Sequence, residues 1–229
     1  LSAVERAGVK LQIGFNRWFD PSFKHARDLV AEGKIGTPHM VRITSRDPEP
    51  PPVSYVKVSG GLFLDMTIHD FDMCRYLLGE EVTEVYAIGT SLVDPEIGKA
   101  GDIDTAVITL TYQSGAYCSI DNSRQAVYGY DQRIEVFGSE GCIVVGNPTP
   151  YEGTLFRKTT VQNPMPLYFF LERYNESYVE EARQFIASIQ QDTPSPVPGI
   201  AGKIPVIMGL AAQQSLREHR PVSVVLETT

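Results

Sequence analysis

From residue 82 to residue 160 short β-type runs alternate with glycine-bearing turns, and this pattern restricts the fold more than any other part of the chain. The runs cover 82–92, 105–112, 116–121, 132–137, 142–145 and 154–159. Gln113-Ser114-Gly115 and Gly138-Ser139-Glu140-Gly141 are connections of hairpin length, too short for the crossover that a parallel pair needs. The span is therefore predicted to form one open, mostly antiparallel sheet. Alternation in 105–112 sets Ala106, Ile108 and Leu110 on one face and Thr105, Val107, Thr109 and Thr111 on the other. The first face suits a core. The second is small and semi-polar rather than charged, which fits a surface covered by another subunit in a dimer or tetramer.

Around this sheet, apolar residues at helical spacing predict helices over 62–78, 167–190 and 200–219, packed on one sheet face, and a last strand over 222–226. Gly79 suits the left-handed cap of the first helix. The run Asp47-Pro48-Glu49-Pro50-Pro51-Pro52 lacks the backbone donors a ladder needs and reads as a stiff loop after a strand over 39–46. The fold class is α+β. The start of the chain has a different pattern: 1–7 as the end of a helix capped by Gly8, 9–15 as a short apolar strand, and 22–32 as a helix with Phe23, Ala26, Leu29 and Val30 on one stripe. One such α/β unit cannot cover its own faces. Residues 1–38 are thus expected to be the remnant of a preceding α/β domain, and 39–229 a separate α+β domain.

Charge narrows the partners. With 20 basic against 28 acidic residues the net charge is -8, a balance that repels nucleic-acid backbones and anionic membranes. No apolar run approaches a bilayer span and the first residues lack a secretion-signal pattern, so a cytoplasmic protein is expected. Cys74, Cys118 and Cys142 are widely spaced, with no CxxC pair; buried thiols are expected, with neither a disulfide framework nor a zinc site.

The chemistry-bearing stretch is Gly60-Gly61-Leu62-Phe63-Leu64-Asp65-Met66-Thr67-Ile68-His69-Asp70-Phe71-Asp72. On a continuous helix Asp65 and His69 are i and i+4 on one face, with Leu64, Ile68 and Phe71 on the neighbouring stripe. A carboxylate one turn from an imidazole orients the ring, favours its charged form, and makes it a general base near neutral pH. The glycine pair leaves room for a ligand near the backbone. The same spacing also fits a structural reading, in which Asp65 supports the helix dipole, His69 is a partly exposed side chain and the glycines make a turn. His25, His39 and His219 lie on other elements, so no metal site is predicted.

That stretch resembles the signature of the glucose-fructose oxidoreductase, inositol dehydrogenase and rhizopine catabolism family. Gly14-Phe15-Asn16-Arg17-Trp18-Phe19-Asp20-Pro21 looks like the family's last Rossmann strand and following turn, and Gly33-Lys34-Ile35-Gly36 like its next helix end. Gly138-Ser139-Glu140-Gly141 and the helix bearing Phe170, Tyr174, Tyr178 and Phe185 are similar to its C-terminal domain. The likeness is greatest to the inositol 2-dehydrogenase branch. It implies an NAD- or NADP-dependent enzyme that removes hydride from a secondary alcohol of a cyclic polyol or sugar. His69 would take the hydroxyl proton and Asp65 would bind a hydroxyl and tune the histidine. Arg17, Asp47 and Tyr130 would bind the polyol; read from the residues alone, each also has a structural role, as a salt bridge, a turn opener and a half-buried sheet residue. Trp18 departs from the pattern, which frequently has a second basic residue there.

The family's cofactor site needs a GxGxxG turn and a Lys-Pro dipeptide, and neither occurs in these 229 residues. The chain is therefore expected to be a C-terminal portion lacking about a hundred residues, to bind the dinucleotide poorly and to be inactive alone. A stand-alone sugar-binding or assembly module, and another sugar dehydrogenase of the family, are the alternatives.

Overall fold

A computed structural model describes residues 1–226. Its centre is a seven-stranded sheet in the order β6-β5-β1-β4-β3-β2-β9. The strands are β1 (Pro38–Arg46), β2 (Val82–Thr90), β3 (Thr105–Tyr112), β4 (Tyr117–Ser123), β5 (Asp131–Gly138), β6 (Cys142–Val145) and β9 (Val222–Ser223). The expected hairpins are present: β3 pairs with β4 and β5 with β6, both antiparallel. One pair is parallel, β1 with β4, in register from Met40↔Tyr117 to Arg46↔Ser123. The crossover between them holds all of β2, β3 and the helices α3 (Val53–Ser59), α4 (Leu62–Asp65) and α5 (Thr67–Leu78). Parallel pairing requires such a long connection. It also sends the carboxyl ends of β1 and β4 to the same edge, where Asp47 N donates to Ser123 O at 3.0 Å.

Strand alternation builds the core as the pattern demands. Val41, Ile43, Ala106, Ile108, Leu110, Cys118 and Ile120 are all buried and face α5 and the helix α8 (Gly199–Glu218). The other face is more apolar than one strand suggested, because Tyr86, Ile88, Tyr117, Phe137 and Val144 join Val107 in exposing large side chains. The helix α7 (Phe170–Gln190) packs against a 3-10 turn (Asn16–Phe19) rather than on the sheet.

Several expectations are corrected. The helix over 62–78 is broken at Met66, whose φ of -104° and ψ of -58° separate α4 from α5. Helix α3 follows the proline run at once; Pro52 sits at its N-cap position, where a missing donor costs nothing, and Gly60 ends it at a φ of 90°. Residues 154–159 do not extend the sheet: β7 (Leu155–Phe156) and β8 (Val161–Gln162) form a separate two-stranded ribbon, after Pro148, Pro150 and Gly153 interrupt the ladder. Residues 9–15 form no strand, since among the described residues their neighbour is an irregular loop to which Ile13 N donates a single bond, at 2.9 Å to Val197 O. Cys74 and Cys118 are buried, but Cys142 is exposed, being at an outward position of the edge strand β6.

Candidate active site

The sharp turn before α4 explains how the glycine pair is used. A Cβ on Gly61 would stand 2.9 Å from Asp102 Oδ1, and the Asp102 carboxylate accepts Leu62 N at 3.1 Å from both oxygens. The glycines therefore fold the chain against Asp102 instead of admitting a ligand. From this anchored start α4 delivers Asp65 and α5 delivers His69. The break at Met66 lies between them, so the two side chains form no hydrogen bond.

Asp65 is held by other partners. Arg124, 4% exposed at the end of β4, donates to Asp65 Oδ2 at 2.6 Å and to Asp47 Oδ2 at 3.3 Å. The Tyr55 hydroxyl donates to Asp65 Oδ1 at 2.5 Å. One guanidinium thus bridges two carboxylates that the parallel strand ends and α4 bring together. Burial raises the Asp47 carboxyl above the usual range, with Arg124 opposing.

His69 packs edge-on against Phe15 at 5.6 Å between ring centroids. Burial, aided by the nearby Arg17 charge and opposed by Asp65, pushes its imidazole down to about 3. The expectation that Asp65 favours the imidazolium is therefore reversed, because desolvation and a cation outweigh an unbonded carboxylate. The histidine is neutral at physiological pH, and its Nδ1 is buried with no hydrogen-bond partner.

Arg17 is 5% exposed and committed to the protein interior. It pairs with buried Asp70 and donates to Gln132 Oε1 at 2.8 Å. Asp70 also accepts Asn122 Nδ2 at 2.8 Å, and Asn122 Oδ1 accepts the Thr67 hydroxyl at 2.5 Å. This network locks the 3-10 turn, α5, β4 and β5 behind the site. Of its members the sequence marked only Arg17, and of the bridge above it missed Arg124 and Tyr55. A signal for Arg124 existed, as a lone arginine after a strand in a region rich in carboxylates.

These groups surround one cavity of about 800 Å³. All five residues singled out from the sequence line it: Arg17 at the floor, Asp47, Asp65, His69 and Tyr130. Tyr130 is 9% exposed and meets Tyr174 of α7 edge-on at 6.0 Å. The cavity thus combines a neutral imidazole with charged and hydroxyl groups able to hydrogen-bond a polyhydroxy ligand. Among the described residues no cluster of potential metal ligands occurs, and no helix is long and apolar enough to cross a membrane.

Comparison with known proteins identifies the family. Residues 23–144 match the GFO/IDH/MocA C-terminal domain. The chain belongs to the GFO/IDH/MocA family. Among its relatives in the family, the myo-inositol 2-dehydrogenase of Thermotoga maritima is 54% identical over 97% of this chain and 66% of its own length. The inositol 2-dehydrogenase of Rhizobium meliloti is 45% identical over 98% of this chain and 68% of its own. The crystal structure of scyllo-inositol dehydrogenase from Lactobacillus casei, with bound NAD(H) and scyllo-inositol, superposes with a TM-score of 0.88 at 30% identity, covering 97% of this chain and 67% of that one. The chain spans about two thirds of the length of these family members.

Proposed function

We propose that this chain is the substrate-binding part of an NAD- or NADP-dependent dehydrogenase acting on a secondary alcohol of inositol or a closely related cyclic polyol. The observation that carries the reading is the neutral His69 imidazole in a cavity shared with Asp47, Asp65 and Tyr130. His69 takes the proton from the reacting hydroxyl. Asp65, fixed by Arg124 and Tyr55, accepts a hydrogen bond from a neighbouring hydroxyl, and Asp47 and Tyr130 hold the far side of the ring. Arg17 shapes the floor and, through Asp70, anchors the helix that carries His69.

The cavity suits the polyol and not the cofactor's phosphates. Its lining holds the carboxylates of Asp47, Glu49 and Asp65, and the guanidiniums beside them are engaged, Arg124 by Asp47 and Asp65 and Arg17 by Asp70. The glycine turn before α4 is closed by the Asp102 carboxylate, which accepts Leu62 N and repels a phosphate there. The nicotinamide supplies the hydride acceptor in the whole enzyme, with residues 1–38 belonging to its dinucleotide-binding half. Residues 39–229 contribute the polyol site and an apolar sheet face that joins copies of the chain.

The test is steady-state turnover of inositol isomers and aldoses by the chain joined to its dinucleotide-binding domain. His69→Ala is expected to lower kcat by about two to four orders of magnitude, and the 229 residues alone are expected to show none. Parental turnover in His69→Ala would remove His69 from the mechanism.

A further inference from the structure

Asp65 ends α4 and Arg124 follows β4, so the ion pair that orients the Asp65 carboxylate depends on how two separate elements are set against each other. One segment touches both, the connection from β2 to β3 over residues 91–104. Its Asp102 carboxylate accepts Leu62 N, the first residue of α4, at 3.1 Å from each oxygen. Two residues on, the Asp104 carbonyl accepts Arg124 N at 2.8 Å. The connection thus holds the main chain of the helix that presents the carboxylate and the main chain of the arginine that orients it.

This bracket is stiffened from within. Asp104 is fully buried, and its carboxylate gathers three consecutive amides, Leu92 N at 2.8 Å, Val93 N at 3.0 Å and Asp94 N at 2.9 Å, together with the Thr105 hydroxyl at 2.9 Å. A buried carboxylate paired in this way fixes the chain around it, because freeing any one donor leaves it unsatisfied. The short helix α6 (Pro95–Lys99) then turns the chain back. Asp102 N donates to Ile97 O at 3.2 Å and the Ser91 hydroxyl to Asp102 O at 3.3 Å, closing the loop on itself. Neither Asp102 nor Asp104 lines the cavity, so any effect they have on a ligand passes through Asp65 and Arg124.

We infer that Asp102 and Asp104 are positioning residues for the polyol site, which set the Asp65 carboxylate against the Arg124 guanidinium through the amides of Leu62 and Arg124. The assignment rests on the reading of Asp65 as a polyol-binding group. His69 lies outside the bracket: α5 begins after the break at Met66 and is held by its own contacts, Asp70 with Arg17 and Thr67 with Asn122. The bracket therefore acts on binding of the polyol and not on removal of its proton.

Asp102→Ala, made in the chain joined to its dinucleotide-binding domain, removes the acceptor for Leu62 N. A purely structural role predicts a lower melting temperature and, through lost folded enzyme, a lower apparent kcat, with KM for polyol unchanged. The positioning role predicts KM raised about three- to tenfold, the worth of one misplaced hydrogen bond, with kcat per folded enzyme within about twofold of the parent's. Asp102→Asn keeps one acceptor oxygen and should return KM most of the way. Asp104→Asn loosens the other arm without touching the Leu62 contact, is expected to raise KM in the same range, and carries the test if Asp102→Ala does not fold. The route is read from coupling: in an Asp65→Asn background either change should add little to KM, since the group being positioned is already lost. Parental KM in the bracket variants, or KM shifts that simply multiply with that of Asp65→Asn, would overturn the assignment and leave the polyol reading intact. Parental KM in Asp65→Asn itself would overturn the reading of Asp65 and this assignment with it.

Discussion

Asp72 and His69 lie three residues apart on α5, and their burial drives stability in opposite directions with pH. The Asp72 carboxyl is 1% exposed. Its Oδ2 accepts Trp18 Nε1 at 2.6 Å, while Oδ1 has no hydrogen-bond partner. Arg75 stands 3.9 Å away and is engaged by Glu81 through two bonds of 2.6 Å. Its charge is therefore shared, and burial dominates, pushing Asp72 up from 3.8 to about 7. Between those values the native state holds a proton that the unfolded chain releases, so stability falls as pH rises through the window. For His69, lowered from 6.5 to about 3, the unfolded chain holds the extra proton, and stability rises with pH between 3 and 6.5. Each proton contributes about 1.4 kcal/mol per pH unit. From about pH 4 to 6.5 the two slopes nearly cancel.

Asp72→Asn removes one of them. Asparagine imitates the protonated acid, keeps an acceptor for Trp18 Nε1 and cannot ionise. The variant's unfolding free energy is expected to climb, relative to the parent's, by about 1.4 kcal/mol per pH unit between pH 4.5 and 6. Above pH 7 the variant should be more stable by about 2–4 kcal/mol, the full shift discounted for relaxation around the buried acid. Urea denaturation of the 229-residue chain across pH measures this directly, followed by the emission of Trp18, the single tryptophan. Parallel stability curves for parent and variant would refute the assignment of a raised carboxyl to Asp72.

Two further outcomes follow from the same structure. Arg124→Met leaves Asp47 and Asp65 facing one another without their cation; with both side chains partly screened by water, a loss of about 1–3 kcal/mol is expected, smallest at low pH where Asp47 is protonated. The lower urea midpoint should be accompanied by a higher KM for polyol, and an unchanged midpoint at neutral pH would show that the bridge carries no stability. Light scattering at micromolar concentration is expected to report a dimer or larger assembly, since Tyr86, Ile88, Val107, Tyr117, Phe137 and Val144 give one sheet face an apolar surface. A monomer would count against that use of the face.

What could be read in the sequence was local. Strands β3 and β6 were located to the residue: a period of two marks β3 as a half-buried strand, and the glycine turn Gly138 to Gly141 fixes where the short apolar run of β6 begins. Helix α8 was placed within a residue of its ends by its apolar stripe. The break at Met66 escaped because Leu62 to Leu78 holds neither glycine nor proline and keeps apolar residues at helical spacing; at the break Thr67 bonds Asn122 while Leu62 N meets Asp102. The strand expected over 9–15 failed for the complementary reason. Apolar composition states that a segment is to be covered, and it does not state whether a ladder or a loop does the covering.

The site shows the same division between residue type and connectivity. His69 and Asp65 line one cavity, but the contact expected between them is absent, because i and i+4 spacing means contact only on an unbroken helix. The structure gives each its own surroundings: burial and the nearby Arg17 charge keep the imidazole neutral, while Arg124 and Tyr55 orient the carboxylate. Arg124 and Asp47 are 77 residues apart in sequence. They meet because β1 and β4 run parallel and end at the same edge, a pairing that no local pattern encodes. Decoupling the imidazole from the carboxylate has a consequence for the proposed chemistry: the imidazole's proton affinity is set by the protein interior and not by an ion pair. It follows that Asp65→Asn should act mainly on polyol KM and His69→Ala mainly on kcat, whereas a hydrogen-bonded dyad would lose kcat from either change.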